Sequence, residues 1–214
     1  MALAGMSEEF KQKQALFFNQ QHSGLLDVTD EVAAWTEELV KQENFVITSK
    51  PAEYLETVRT NLKWDHMNMK KALVRLQLMD STLWFLPALQ RDGERNQLCG
   101  IWRFGDSMVG HPHVTHGGAI SFAFDESFGV LFASAFAYQG VLGMTANLSV
   151  DYKKPYPANK HALLRAHVEN VERRKVFMKA TLQDGPNGAI YAEAKALFII
   201  LKDPPPQSAK RPES

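Results

Sequence analysis

The chain of 214 residues has one cysteine, Cys99. An intramolecular disulfide framework is therefore excluded, and a reducing compartment is the simpler expectation. It also lacks net charge, with 24 Lys and Arg against 24 Asp and Glu. A neutral chain offers no global field to nucleic acid or an anionic membrane, so any anion site must be local. No unbroken apolar run reaches about 18 residues, the length at which a membrane-crossing helix becomes a candidate. The longest stretch, residues 117–137, is interrupted by Asp125 and Glu126. The opening MALAGMSEEFKQKQ has no signal-peptide core and carries Glu8 and Glu9, so a cytoplasmic or mitochondrial protein is expected rather than a secreted one. There is no P-loop and no strand–GxGxxG–helix unit. Basic residues are not interleaved with aromatics as in single-strand nucleic-acid binders, and nucleic acid is not an expected partner.

What is present is an ordinary globular composition, 45% hydrophobic and 22% charged, sufficient for one core with an extension. Residues 1–78 read as a helical extension. Val32, Trp35, Leu39 and Val40 share one helical face behind a Thr29 cap. Ser49 and Pro51 open a second helix with Leu55, Val58 and Leu62 together, and Met69, Ala72, Leu73 and Leu76 line a third. These stripes serve either as packing surface or as a lid or partner face.

From residue 79 to 202 the period changes. TLWFLPALQ and NQLCGIWRF read as strands joined at Asp92-Gly93. An apolar helix starts at Gly117 and stops near Gly140. Four strands follow, with Ala146, Leu148, Val150 and Tyr152 on one face of the first. Leu164, Ala166 and Val168 face inward on the next, then Val176, Met178, Ala180 and Leu182, then Ile190, Ala194, Ala196, Phe198 and Ile200. Closely spaced strands pair antiparallel, and one long apolar helix needs covering on most of its surface. An α+β fold with an antiparallel sheet curved around a central helix meets both needs. Residues 203–214, DPPPQSAKRPES, read as a disordered tail.

The helix start bears the first chemical signal. Gly117-Gly118 follow His116, where backbone N–H groups lack helical partners and carry partial positive charge. Without side chains there, a ligand oxygen that turns negative can approach the amides; alternatively, the pair only permits a tight turn. Asp125 sits in the apolar helix and needs either donors, such as the hydroxyl of Ser121, or a chemical role. His111, His113 and His116 fall within six residues, but the set is too thin for zinc, and no metal is expected. Lys153, Lys154, Lys160, Arg165, Arg173, Arg174 and Lys175 face only Glu169 and Glu172 in this stretch. They form either a solvated surface or a site for a phosphorylated ligand.

HGGAISFAFDE, MTANLSVDYKKP, VERRKVF and YAEAKALFII together resemble hotdog-fold acyl-CoA thioesterases, of the phenylacetate-type and carboxyl-terminal-modulator-like group. The resemblance covers roughly residues 80–202. It implies hydrolysis of acyl-CoA, medium- to long-chain fatty acyl or aryl-acetyl, in a homodimer or dimer of dimers with sites at the subunit interface. It makes Asp125 the catalytic carboxylate, as base or nucleophile. The N–H of Gly118, with Gly117, becomes the oxyanion hole, shaped by His116. Thr145, reached from the facing subunit, positions water. Lys153, Lys154, Arg173, Arg174 and Lys175 become candidates for the coenzyme A phosphates. No separate cofactor is implied, since coenzyme A arrives with the substrate. The rival readings are an acyl-CoA hydratase or dehydratase and a non-catalytic acyl-CoA-binding or regulatory dimer.

Overall fold

The computed structural model describes residues 34, 35, 38, 39, 45–47, 79–87, 97–136 and 141–202. The helices expected around Leu55–Leu62 and Met69–Leu76, the Asp92-Gly93 turn, the stop at Gly140 and the tail lie outside these residues.

Among the described residues, seven strands form one antiparallel sheet. In chain order they are β1 (Phe45–Ile47), β2 (Met79–Pro87), β3 (Gln97–Phe104), β6 (Gly143–Tyr152), β7 (Ala162–Glu172), β8 (Lys175–Gln183) and β9 (Ile190–Ile200). Their spatial order is β1-β2-β3-β7-β8-β9-β6. Two short strands, β4 (Val109–His111) and β5 (Val114–Thr115), pair separately ahead of the helix α1 (Gly117–Phe136). Phe45–Ile47, which lies between the segments expected to be helical, is a strand and extends the sheet by pairing with β2. Ala34, Trp35, Glu38 and Leu39 are helical as expected. Trp35 and Leu39 are buried, and Asn187 Nδ2 donates to Glu38 Oε1 at 2.7 Å, which docks this piece on the β8–β9 turn.

The core lies between α1 and the concave face of the sheet. Ala123, Phe124, Phe128 and Leu131 of α1 are fully buried against Leu164, Val176, Leu182 and Ala192. Each buried Phe or Leu contributes about 1.5–3 kcal/mol relative to exposure. Small residues Ala192, Ala194 and Ala196 on β9 let the helix sit close, and Phe198 stacks on Phe132 at 5.5 Å. The alternation expected for β7, β8 and β9 is therefore observed, with Leu164, Ala166, Val176, Met178, Ala180 and Leu182 all inward and buried. No described helix is long and apolar enough to cross a membrane.

Among the described residues, strand β6 occupies one edge of the sheet and pairs only with β9. Its residues 144–147, 149, 151 and 152 are exposed. A bulge lies between Thr145 and Asn147: Thr145 faces Phe198, Asn147 faces Leu197, and Ala146 is the extra residue. Strict alternation puts Thr145 on the outer face, opposite Leu148, Val150 and Tyr152. The bulge resets the alternation, so Thr145 joins them on the face that looks toward α1.

Candidate active site

Along α1, residues 118, 121, 122, 125, 126 and 129 are only partly covered or open, whereas the intervening positions are buried. Gly117, Ser121 and Asp125 follow one another at four-residue spacing, so they share this open stripe. Strand β6 is tied to it at two places.

At the first, Thr145 Oγ1 donates to Asp125 Oδ1 at 2.9 Å. The carboxylate is half-buried and held by a neighbouring strand rather than by Ser121. At the second, Tyr152 Oη donates to Gly117 O at 2.9 Å and lies 2.8 Å from Ser121 Oγ. Ser121 therefore serves the tyrosine and not the aspartate. Tyr152 is a site residue that no motif in the sequence marks. The available signal was a phenol on the inward face one residue before the basic run, since such a hydroxyl seeks a partner.

At the helix start, His116 acts as the cap. Its carbonyl accepts from Ala119 N at 2.9 Å and Ile120 N at 3.2 Å, and its Nδ1 accepts from Gly118 N at 2.8 Å. A capping contact of this type is worth about 1 kcal/mol. The geometry distinguishes the two expected oxyanion donors. The Gly118 N–H is committed to His116, whereas the Gly117 N–H has no partner among the described residues. His116 is exposed and bonded through its only acceptor nitrogen in the neutral form.

The basic set is divided. Lys153 and Lys154 follow the end of β6, beside Tyr191, whose carbonyl accepts from both backbone N–H groups. Arg173 and Arg174 turn between β7 and β8, and Lys175 pairs with Ile199, near the start of β6 where Met144 pairs with the same residue. The two groups thus sit at opposite ends of a ten-residue strand, about 30 Å apart at the rise of an extended chain. One protomer cannot bring all five onto one phosphate group. Lys153 is also bridged to Glu193 at 3.0 Å, and this hydrogen bond holds its ammonium pKa above the usual value. Arg174 Nη1 reaches Ile200 O at 3.4 Å. No group of three or more His, Cys, Asp or Glu suited to a metal occurs among the described residues.

The thioesterase superfamily profile matches residues 113–191, from the loop before His116 into β9. Over these residues the chain is similar to the thioesterase superfamily. An acyl-coenzyme A thioesterase THEM4 of Xenopus laevis is 37% identical over 108 residues, covering 50% of this chain and 46% of that protein. The protein of the same name from Rattus norvegicus is 31% identical over 133 residues, covering 62% of this chain and 56% of that protein. The chain therefore spans about half the length of these curated relatives. Zebra fish thioesterase superfamily member 2 overlays with a TM-score of 0.50 at 16% identity, covering 69% of this chain and 97% of that one. That overlay shows the fold, a hotdog domain with its sheet wrapped around one helix.

Proposed function

We propose that the domain hydrolyses acyl-CoA thioesters in a site shared by two copies of the chain. The observation that carries this reading is the Thr145–Asp125 hydrogen bond on the open stripe of a helix whose glycine start leaves an amide hydrogen unused. Asp125 and Gly117 are eight residues apart on α1, a separation of about 12 Å. That is too far for both to act on one carbonyl. Strand β6 offers the solution. An exposed edge with unpaired backbone groups is suited to antiparallel self-pairing. Two-fold pairing sets the Thr145 end of one β6 against the Tyr152 end of the other. Asp125 and Thr145 of one copy then face Gly117 and Tyr152 of the other.

The same pairing reunites the basic residues. Arg173, Arg174 and Lys175 belong to the Thr145 end, whereas Lys153 and Lys154 belong to the Tyr152 end. At each composite site both groups stand together, available to the phosphates of coenzyme A.

In the reaction, water adds to the thioester carbonyl carbon and passes a proton to Asp125. The carbonyl oxygen becomes negative beside the Gly117 N–H. The C–S bond then breaks, and the thiolate takes the proton. A thiol titrates near ~8.5, so this leaving group needs little assistance. Attack by the carboxylate itself, through a transient anhydride, uses the same positions. Thr145 donates to one carboxylate oxygen and leaves the other toward water. Medium- or long-chain acyl groups are the proposed substrates, with aryl-acetyl groups as the alternative. The proposed compartment is the cytoplasm or the mitochondrion.

Subunit complementation tests the shared site. Asp125→Asn removes the base, and Gly117→Pro removes the amide hydrogen at a first helical position that accepts proline. Each variant alone is expected to be nearly inactive. Mixed and re-equilibrated, they should recover about a quarter of wild-type thiol release, because half of the dimers are mixed and each has one intact site. Wild-type turnover by Asp125→Asn defeats the assignment, and absence of recovery in verified mixed dimers defeats the shared site.

A further inference from the structure

We infer that Tyr152 is a positioning residue, whose hydroxyl fixes the Gly117–Gly118 peptide and thereby keeps the adjacent Gly117 N–H aimed at the reacting carbonyl oxygen. This rests on the hydrolysis proposed above.

The peptide is tied at both ends. Its carbonyl, Gly117 O, accepts from Tyr152 Oη at 2.9 Å, and its N–H, on Gly118, donates to His116 Nδ1 at 2.8 Å. The direction of the network follows from proton counting. A phenol has one hydrogen and a carbonyl has none, so the tyrosine donates to Gly117 O. Ser121 Oγ, 2.8 Å away, must then donate to Tyr152 Oη. The result is a one-way chain from Ser121 through Tyr152 to Gly117, anchored one turn into α1.

Two successive glycines are the least restrained way to begin a helix. An oxyanion donor is effective when it is already oriented, so that nothing reorganises as charge develops. The clamp supplies the restraint that the glycines lack. The ring contributes as well, since a Cβ on Gly117 would lie 3.2 Å from Tyr152 Cζ and Oη. Packing alone does not account for the contact. Tyr152 is 52% exposed, and a helical carbonyl has a second lone pair that needs no further donor for the helix to form.

Tyr152→Phe keeps the ring and deletes the hydroxyl. With an accepted acyl-CoA, kcat should fall about tenfold with KM unchanged, the signature of an interaction made in the transition state. Ser121→Ala should cost less, and the double variant should be no worse than Tyr152→Phe, because the serine acts through the tyrosine. The 15N order parameter of Gly118 should drop from about 0.85 to below about 0.6 in Tyr152→Phe. If wild type hydrolyses acyl-CoA and Tyr152→Phe retains its kcat, the positioning role is overturned while hydrolysis stands. A lower kcat without loosening of Gly118 also overturns it, since the hydroxyl would then be acting on substrate. If wild type is inactive on the whole acyl-CoA panel, hydrolysis and the positioning role fail together.

Discussion

Thr145 Oγ1 donates a hydrogen bond to Asp125 Oδ1 at 2.9 Å, joining the sheet's edge strand to the open stripe of the central helix. The bond exists because the bulge at Ala146 turns Thr145 inward. A hydrogen bond to a charged group is worth about 1.5–3 kcal/mol. Thr145→Val preserves shape and removes the donor. It should lower kcat by roughly 10–100-fold, and Thr145→Ser should restore most of the loss. Thiol release measured on all three proteins decides the point, and wild-type kcat in the valine variant removes Thr145 from the site.

Gly117 and Gly118 are distinguished by their partners, and their variants should differ accordingly. Gly117→Pro deletes the unpaired amide hydrogen and also brings a Cβ to 3.2 Å from Tyr152 Cζ and Oη, so kcat should fall by at least about 10²–10³-fold while far-ultraviolet circular dichroism stays native. Gly118→Ala puts a Cβ 3.0 Å from His116 Nδ1 and strains the cap instead. Its loss should appear mainly in thermal stability, by about 1 kcal/mol. Equal kcat losses with equal stabilities would return both amides to the oxyanion role.

Much of this architecture can be read from periodicity, and its failures have local causes. Leu164, Ala166, Val176, Met178, Ala180 and Leu182 alternate without interruption, so their inward face is legible from spacing alone. Thr145 is misassigned by the same rule, because a bulge is a pairing property that one strand's sequence does not display. HisGlyGly and the acid nine residues after it mark the site, but two residues do not reveal which amide a neighbouring imidazole has taken. Lys153 and Arg173 look like one cluster along the chain. The topology places β8 and β9 between them and sends them to opposite ends of the sheet.

Gly143 opens β6 directly over Phe132, and a Cβ there would collide with Phe132 Cζ. Phe132 cannot yield easily, since it packs against Phe198 at 5.5 Å and Phe136 at 4.9 Å. Gly143→Ala should therefore overpack the junction of edge strand and helix and cost about 1–3 kcal/mol in denaturant unfolding. Phe132→Leu in the same chain should recover part of the loss, because it removes the obstructing ring edge. Unchanged stability in the single variant would show that β6 can shift away from α1.

Tyr156 is fully buried, with its hydroxyl directed at Trp102 O at 2.8 Å and Lys160 O at 2.6 Å. Burial holds this phenol well above its usual value of 10.0. The unfolded chain loses the proton near that usual value, whereas the native chain keeps it. Stability from this group is therefore complete below pH 10 and declines as pH rises toward the native value, by up to about 1.4 kcal/mol per pH unit. Lys160, raised through its hydrogen bond to Asp184, and Tyr191, raised by burial, act in the same direction. Denaturant unfolding at pH 8, 9.5 and 11 should show a steep alkaline loss in the wild type. Tyr156→Phe should start lower at pH 8, having lost its hydroxyl contacts, and fall less steeply, with Lys153, Lys160 and Tyr191 contributing to the remaining slope. Parallel curves for the two proteins would mean that the Tyr156 proton leaves as readily in the native state as in the unfolded one, and the buried network would then have to open in alkali before the fold does.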